Sequence, residues 1–328
     1  MCLSAELRIE QQERFLRKSL FEICLSTCHN TLMSPIAVTA VYKFLPLRKE
    51  ELPVLQKELT AFGKEHGMRG LTLLAEEGVN ATVCGKPEVI EEWKTLLTKH
   101  FGEMVCKDSE AEELVFPRWF VKIRTEIVGL KKSEIRPDGR YQHLTPEEWD
   151  KMMEEEDIVV LDARNIYETD IGMFEGAVDP RLREFSDFPE YVKTCGISKD
   201  KKVLMYCTGG IRCEKALIEM EQQGYEHVYQ LEGGILAYLK KFPHRKFKGE
   251  CFIFDHRTAL DQELKQSSRY RTCPHCGDPG DIEISCTRCD QKKTICAKCH
   301  EREERRTCSK DCRNRLLGMV PGTKATVS

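Results

Sequence analysis

The chain has 328 residues, 41% of them hydrophobic and 32% charged, a length and composition typical of two or three folded domains. No stretch approaches the ~18 consecutive apolar residues of a membrane helix, which excludes a membrane-spanning class. The net charge of −3 is unevenly divided, because residues 241–328 carry 19 Lys and Arg against 12 Asp and Glu. Such a basic segment is suited to a polyanionic partner.

The first 35 residues lack the features of a secretion signal. The apolar stretch from Ser19 to Cys28 is short, contains Glu22 and is followed by no small-residue cleavage site. We therefore expect a cytoplasmic protein with an N-terminal extension over residues 1–35, either an amphipathic helix or an irregular segment. In a reducing compartment the 17 cysteines are expected to be thiols, metal ligands or catalysts rather than a disulfide framework.

Residues 36–130 show strand and helix patterns in the order βαββαβ, which predicts a ferredoxin-like (acylphosphatase-like) domain. β-branched and aromatic residues mark the strands, and leucines at helical spacing mark the helices. The predicted elements are strand Ile36 to Leu45, helix Glu50 to His66, strands Leu71 to Ala75 and Val79 to Cys84, helix Pro87 to Phe101, and strand Trp119 to Val128.

A second α/β unit is predicted over residues 145–245, after a polar linker at 131–144. Thr145 and Glu148 have the spacing of a helix capping box. Short apolar strands then alternate with helices, which predicts a doubly wound parallel sheet. The predicted elements are strands Ile158 to Asp162, Val203 to Tyr206 and Val228 to Leu231, with helices from Cys213 to Gln223 and after Gly234.

The strongest candidate for chemistry is Cys207, at the junction of an apolar strand and a helix. It opens the turn Cys207-Thr208-Gly209-Gly210-Ile211-Arg212. The glycines allow the main chain to curl around the sulfur, and amides at a helix N-terminus favour thiolate over thiol. Arg212 adds a positive charge. The structural alternative is a buried cysteine at a strand end, and Cys213 fits either a resolving thiol or a core residue.

This turn resembles the active-site loop of rhodanese domains. Asp162-Ala163-Arg164, with Glu168, resembles the Asp-x-Arg segment of that fold, and Gly224 to Ile235 resembles its closing strand and turn. The resemblance implies sulfur chemistry at Cys207, with a persulfide carried on this atom, and a supporting role for the three charged residues. For Asp162 we favour the structural interpretation, in which its carboxylate ties loop backbones together.

The domain order as a whole resembles the bacterial rhodanese-domain tRNA uridine(34) hydroxylases. The likeness runs from about Pro35 to Cys312 and includes the segments Glu77-Gly78-Val79-Asn80-Ala81-Thr82 and Phe116-Pro117-Arg118-Trp119-Phe120. It implies an enzyme that converts the wobble uridine of tRNA to 5-hydroxyuridine through Cys207, with O2 as co-substrate and an unidentified electron donor. The sequence contains no Gly-x-Gly-x-x-Gly motif for a flavin or nicotinamide cofactor.

Aromatic and cationic residues interleave at the start of the last strand predicted in the N-terminal domain, as they do on nucleic-acid-binding surfaces. Neighbouring residues of a strand point to opposite faces, so one of the two aromatic rings is expected in the core. The candidate RNA contacts are Arg118, Trp119, Phe120, Lys122 and Arg124.

Eight of the nine cysteines in residues 251–316 stand in close pairs, a spacing typical of zinc sites. The segment has few apolar residues with which to build a core, so two structural zinc ions are expected to order it. The pairing is open: sequential, interleaved, or with His275 or His300 replacing a cysteine, and unmetallated thiols are the alternative. Residues 317–328 are predicted to be a disordered tail. The pairs are Cys273 with Cys276, Cys286 with Cys289, Cys296 with Cys299, and Cys308 with Cys312.

Three functions fit these features. The first is the oxygen-dependent tRNA uridine hydroxylase, and the second is a persulfide-forming sulfurtransferase that uses thiosulfate or a protein donor. The third is a non-enzymatic RNA-binding adaptor, because a fold does not fix a function. The additional N-terminal domain and the basic tail favour a macromolecular substrate, tRNA, over a small sulfur donor.

Overall fold

The computed structural model describes residues 35–140 and 142–319. The predicted extension up to residue 34 and the predicted tail after residue 319 lie outside the described residues. Within the two described ranges, no helix is both long and apolar enough to cross a membrane.

The N-terminal domain is a five-stranded sheet, in the order β4-β1-β3-β2-β5, with two helices on one face. The apolar faces of both helices pack on the sheet around Trp93 and Leu59, which are fully buried. Its elements are β1 (Ile36–Phe44), α1 (Leu52–Glu65), β2 (Arg69–Ala75), β3 (Gly78–Gly85), α2 (Pro87–Phe101), β4 (Lys107–Ala111) and β5 (Trp119–Ile123).

The predicted βαββαβ order is confirmed, but its closing strand was placed wrongly. The strand after α2 that pairs with β1 is β4, whose sequence Lys-Asp-Ser-Glu-Ala has no β-rich or alternating pattern. Charged residues are common on edge strands because they prevent pairing with other chains. The strand predicted from Trp119 to Val128 is the shorter β5, which pairs parallel with β2 at the opposite edge.

One face of this sheet carries no helix. The strand register places a row of residues across that face, from one edge of the sheet to the other: Lys107, Ala40, Thr82, Leu71 and Phe120. The next row holds Tyr42, Asn80, Leu73 and Lys122. At ~4.8 Å between strands, the two ends of the first row are about 19 Å apart. The edge of the helix-free face formed by β4 and β1 meets the central domain, through Lys107 and Tyr42.

The central domain is a four-stranded parallel sheet in the order β6-β10-β9-β7, with apolar clusters on both faces. This confirms the predicted doubly wound sheet, and Thr145 and Glu148 form the predicted capping box. Its main elements are β6 (His143–Leu144), α3 (Pro146–Met152), β7 (Ile158–Asp162), α4 (Ile166–Thr169), β8 (Gly172–Phe174), α5 (Phe188–Thr194), β9 (Lys202–Tyr206), α6 (Ile211–Gln222), β10 (His227–Leu231) and α7 (Gly234–Lys241).

The C-terminal region is built from short paired strands and two short helices. Strand β11 pairs with β8 and so joins this region to the central domain. The elements are β11 (Phe247–Gly249), β12 (Cys251–Phe252), β13 (Ala259–Leu260), β14 (Arg271–Thr272), β15 (Pro279–Gly280), β16 (Ile282–Ser285), β17 (Lys292–Ile295), α8 (Ala297–His300) and α9 (Lys310–Leu316).

A buried ion cluster joins the N-terminal and central domains. Lys215 of α6 is fully buried, and its Nζ lies 2.8 Å from Glu77 and 2.6 Å from Glu126. Glu77 also accepts a hydrogen bond of 2.7 Å from the amide of Ile127, and Asn80 donates to the carbonyl of the same residue. The Glu77-Gly78-Val79-Asn80 segment therefore fixes the chain where it leaves the domain and docks α6 against it.

Candidate functional site

Cys207 lies between β9 and α6, on a loop that curls around its sulfur. The residue is 1% exposed, and the amide of Gly210 donates a hydrogen bond of 3.1 Å to the Sγ. Gly210 has a φ of 97°, a left-handed conformation that favours glycine. The strand end and the helix start thus hold the sulfur among main-chain amides, as the sequence predicts.

The surroundings of Cys207 favour its thiolate. Burial alone would raise the pKa of this thiol, but hydrogen bonding from Cys213, the charge of Arg212 and the amides of both residues outweigh burial. The pKa is consequently lowered to about 5, which makes the sulfur anionic at neutral pH. Burial raises the pKa of the Cys213 thiol, so this core residue stays protonated and acts as a donor.

The charge of Arg212 is shared between the sulfur and a carboxylate. Its guanidinium forms a two-pronged ion pair with Glu168, with N–O distances of 2.6 and 2.7 Å, and both side chains are buried. Thr208 donates a weaker hydrogen bond of 3.3 Å to the same carboxylate. Glu168 therefore orients Arg212 and offsets part of its charge, while the guanidinium still lowers the pKa of the Cys207 thiol.

Asp162 and Arg164 form a second buried ion pair, which does not touch the sulfur. Arg164 Nη2 lies 2.6 Å from Asp162 and donates a hydrogen bond of 2.6 Å to the carbonyl of Gly172. Asp162 also accepts from the amide of Arg164. The pair joins the end of β7 to β8, an arrangement consistent with the predicted bracing role.

Helix α7 holds the loop from its other side. The amides of Ile235 and Leu236 donate to the carbonyls of Cys207 and Thr208, at 3.0 and 3.2 Å. Gly234, with a φ of 67°, lies so close that a Cβ placed on it would be 2.4 Å from the Cys207 carbonyl oxygen. Only glycine fits this contact without moving the loop.

The N-terminal domain contributes two residues that the sequence did not identify. The Tyr42 hydroxyl donates a hydrogen bond of 3.0 Å to Glu214 on α6, and its oxygen lies 2.9 Å from where a Cβ on Gly210 would be. The alkyl chain of Lys107 lies beside Gly209, with its Nζ 4.7 Å from the centre of the Tyr42 ring. Both residues come from the helix-free face, so two domains enclose the loop.

The C-terminal region contributes an exposed aromatic ring, which was also missed. Phe254 is 57% exposed, and the Arg212 guanidinium lies 5.8 Å from the centre of its ring. Phe252 contacts the same ring edge to face at 5.1 Å and accepts a hydrogen bond from Thr208 through its carbonyl. An exposed ring held beside a thiolate loop presents a flat surface for stacking.

The candidate RNA contacts on β5 divide between the two faces of the sheet. Trp119 was wrongly predicted as an RNA contact, because its ring is buried in the core, edge to face with Trp93 at 5.3 Å. It is the one of the two aromatic rings that lies inside. Phe120 is 42% exposed on the helix-free face, and Lys122 lies 4.8 Å from its ring. Arg118 and Arg124 are exposed. These side chains share a face with Lys107 but lie at the far edge of the sheet.

The eight C-terminal cysteines form two clusters with interleaved pairing. Within each cluster all four sulfurs lie within 4.8 Å of one another. The first and third cysteine pairs make one cluster, and the second and fourth pairs make the other. The clusters are Cys273, Cys276, Cys296 and Cys299, and Cys286, Cys289, Cys308 and Cys312.

The geometry of both clusters fits a tetrahedral metal ion. Sulfurs bound to one zinc at ~2.3 Å stand about 3.8 Å apart, and the sulfurs of Cys276 and Cys299 are 3.7 Å apart, those of Cys289 and Cys312 3.8 Å. His275 is turned away from the clusters, with its Nε2 2.8 Å from the carbonyl oxygen of Thr307. The four-cysteine sets are therefore compatible with zinc without a histidine ligand.

Comparison with known families matches each part of the chain. Residues 36–127 match the UPF0176 acylphosphatase like domain, residues 145–241 the rhodanese-like domain and residues 248–313 the rhodanase C-terminal family. The chain is 45% identical to the tRNA uridine(34) hydroxylase of Bdellovibrio bacteriovorus, with 85% of this chain and 81% of the relative covered. The relative of the same name in Synechocystis sp. is 41% identical, with 74% of this chain and 88% of the relative covered. The one in Rhizobium etli is 37% identical, with 79% of this chain and 88% of the relative covered.

Proposed function

This chain belongs to the family of tRNA uridine(34) hydroxylases, and on that premise we propose that it converts the wobble uridine of tRNA to 5-hydroxyuridine with Cys207 as its catalytic residue. O2 is the co-substrate in this proposal. One oxygen atom of O2 ends in the hydroxyl group on ring carbon 5, and the other leaves as water, which requires two electrons from a reductant and two protons. The observation that supports the role of Cys207 is its stabilised thiolate, because a nucleophilic sulfur is what the ring chemistry needs.

Two exposed surfaces suit an RNA substrate. Phe254, beside the loop, offers a ring on which an unstacked base stacks, and single-stranded loops such as an anticodon present bases in this way. Phe120 and Lys122 form a second aromatic and cationic surface on β5, at the edge of the helix-free face opposite Lys107. We propose that the anticodon arm lies along this face, with the wobble base at Cys207 and phosphates near Arg118, Lys122 and Arg124.

The β5 contacts predict a salt-dependent effect on tRNA binding. Replacing Lys122 and Arg124 together with alanine is expected to weaken tRNA binding and to reduce the slope of log affinity against log salt by about 2, roughly 1 for each lost phosphate contact. The measurement is a binding titration at several salt concentrations. The matched control is Lys64→Ala with Lys99→Ala, on the helix layer, and an unchanged slope in the β5 variant would remove this surface from the proposal.

The two zinc ions are proposed as structural components. Each cluster supplies four thiolates, so protein atoms fill every position of a tetrahedral site. The ions would order the C-terminal region, which carries Phe254 and continues into a basic surface. We assign them no part in the chemistry at Cys207.

The test is the nucleoside content of tRNA in cells that lack this activity. Expression of the wild-type chain is expected to produce 5-hydroxyuridine at the wobble position, detected by mass spectrometry, and Cys207→Ser is expected to produce none. The control is Cys106→Ser, a half-buried thiol outside the loop. Full hydroxylation by the Cys207→Ser variant would contradict the proposed role of the sulfur.

A sulfurtransferase is the second candidate, because a thiolate held by loop amides is also suited to carry a persulfide. A dianionic donor such as thiosulfate needs more than one cationic partner, yet the guanidinium of Arg212 is already engaged by Glu168, which leaves the single charge of Lys107 beside the loop. Cyanide-dependent thiocyanate formation measures this activity. A rate that depends on Cys207 in the absence of any 5-hydroxyuridine formation would favour the second candidate.

A further inference from the structure

We propose that Lys107 is a catalytic residue of the Cys207 site, where its ammonium group donates a hydrogen bond to a carbonyl oxygen of the wobble uracil. This inference rests on the proposed hydroxylase function. It adds to that function a contact supplied by a different domain from the one that carries the cysteine.

The position of Lys107 is set by the sheet. It begins the edge strand β4 and pairs with Ala40 of β1, so its side chain is on the helix-free face, at the edge that meets the central domain. There the alkyl chain runs past the loop: its Cδ and Cε are 3.6 and 3.7 Å from where a Cβ on Gly209 would be. The lysine therefore lies directly beside the turn that carries Cys207.

The ammonium group of Lys107 has no anionic partner. Within the described residues, its Nζ makes no hydrogen bond and no ion pair. The nitrogen lies 4.7 Å from the centre of the Tyr42 ring. Other lysines of the protein behave differently: Lys94, on α2, has two carboxylates within 2.8 Å, and the buried Lys215 also has two. Lys107 is half-buried and its Nζ is still reached by solvent, so a bound substrate can replace that water and accept the hydrogen bonds of the ammonium.

The charge around Lys107 supports a contact with substrate. Burial lowers the pKa of this ammonium, whereas the negative charge of Cys207 opposes that shift, so the two groups sense each other across the loop. The carboxylate nearest the Tyr42 ring, that of Glu214, is already hydrogen-bonded to Tyr42 and Gln230. Glu232 also acts on the Lys107 charge, but within the described residues no carboxylate forms an ion pair with its Nζ, so its donors are not taken by the protein.

The chemistry of the uracil ring explains what this contact does. When the Cys207 thiolate adds to carbon 6 of the ring, the electron pair of the C5–C6 double bond moves onto the C5–C4–O4 unit and places negative charge on the O4 carbonyl oxygen. After carbon 5 has taken up oxygen, loss of its proton breaks the S–C6 bond, restores the double bond and releases the thiolate. A positioned ammonium stabilises that charge in a site that excludes water, and losing one donor of this kind typically slows a reaction about 100-fold or more. Lys107 is the cation that the site offers for this purpose, because Arg212 is held by Glu168.

The experiment compares Lys107→Met, Lys107→Arg and Lys99→Met with the wild-type chain in cells that lack the activity. We expect the rate of 5-hydroxyuridine appearance after induction to fall about 100-fold in Lys107→Met, to recover in part in Lys107→Arg, and to remain at the wild-type level in Lys99→Met. Lys99 is the matched control because its side chain is 70% exposed and lies on the helix layer. Purified variants are compared by urea unfolding, which identifies any loss of folded protein.

A second readout separates contact with uracil from an effect on the sulfur. The midpoint of the pH profile of Cys207 alkylation is expected to rise by well under one pH unit in Lys107→Met, because one favourable charge is lost while the loop amides and Arg212 remain. A midpoint displaced upward by a full pH unit together with lost product would show that Lys107 acts through the thiolate, and it would overturn the uracil contact. Wild-type rates in Lys107→Met would overturn it directly. If the wild-type chain itself forms no 5-hydroxyuridine, the proposed function fails and the inference falls with it.

Discussion

At the scale of single residues, the central feature is a buried sulfur that stays anionic. Cys207 is 1% exposed, and burial by itself raises the pKa of a thiol. The opposite result here comes from donors fixed by the fold, namely the Gly210 amide, the start of α6 and the neighbouring Cys213 thiol. Their positions do not depend on solvent, so the charge is stabilised before any substrate arrives.

The lowered pKa of Cys207 predicts an unusual pH profile of alkylation. Because the pKa is about 5, the thiolate is fully present above pH 6 and is lost as the pH falls through 5. The iodoacetamide rate at Cys207, followed by peptide mass spectrometry, is therefore expected to be constant between pH 6 and 8 and to halve near pH 5. Cys106 is the internal control, since burial raises the pKa of its thiol and its rate should increase with pH throughout. A Cys207 rate that climbs steeply between pH 7 and 8 would contradict the stabilised thiolate.

The residues that the sequence identified and those that it missed differ in sequence separation. Cys207, Gly210 and Arg212 lie within one turn, where local spacing implies local geometry. Tyr42 contacts Glu214 across 172 positions of the chain, and no local pattern reports such a contact. Tyr42 is one side chain in an alternating strand, and Lys107 lies in a polar segment without a strand pattern.

At the scale of elements, the site depends on how tightly two helix starts hold one loop. Helix α6 begins directly after the Cys207 loop. The first amides of α7 donate hydrogen bonds to the carbonyls of Cys207 and Thr208. The sequence predicted both helices and the strand between them, because apolar strands and glycine-bounded helices have strong local signals. It did not predict β4, because an exposed edge strand has a polar sequence without apolar alternation.

Helix α7 predicts a position-specific effect of adding one methyl group. Gly234→Ala places a Cβ 2.4 Å from the Cys207 carbonyl oxygen and 2.7 Å from that of Thr208, so the loop must move. We expect 5-hydroxyuridine formation in the cell assay to fall at least tenfold. Gly196→Ala is the matched control: its φ of 70° imposes the same backbone strain, about 1–2 kcal/mol, in open space. Equal activities for the two variants would show that the contact with the loop is unimportant.

At the scale of the whole molecule, three regions surround one sulfur. The central domain supplies the loop, the N-terminal domain supplies Tyr42 and Lys107, and the C-terminal region supplies Phe254. The sequence predicted the order and the type of all three regions. The contacts between the regions could not be predicted from the sequence, since they join distant residues: Arg257 Nη1 donates a hydrogen bond of 3.0 Å to Ser109 of β4, with its guanidinium held by Asp255.

The interleaved cysteine clusters predict how double substitutions alter metal content. A wild-type chain is expected to bind two zinc ions, measured by elemental analysis of the purified protein. Cys273→Ser with Cys296→Ser damages one cluster and should leave one ion, whereas Cys273→Ser with Cys286→Ser damages both and should leave none. Sequential pairing would give the reverse result. The sequence alone left the pairing of the cysteines open, because the two cysteines of every pair are separated by nearly the same number of residues, two or three.

The buried contact of Lys215 with two glutamates bears on whether the central domain can work apart from the rest of the chain. Excision of that domain would take Glu77 and Glu126 away from the Lys215 ammonium, so α6 would present an unpaired charge where it now has two counter-charges. Excision would also remove Tyr42 and Lys107 from the Cys207 loop. A central domain cut from this chain therefore lacks both its docking charges and part of the enclosure of its thiolate.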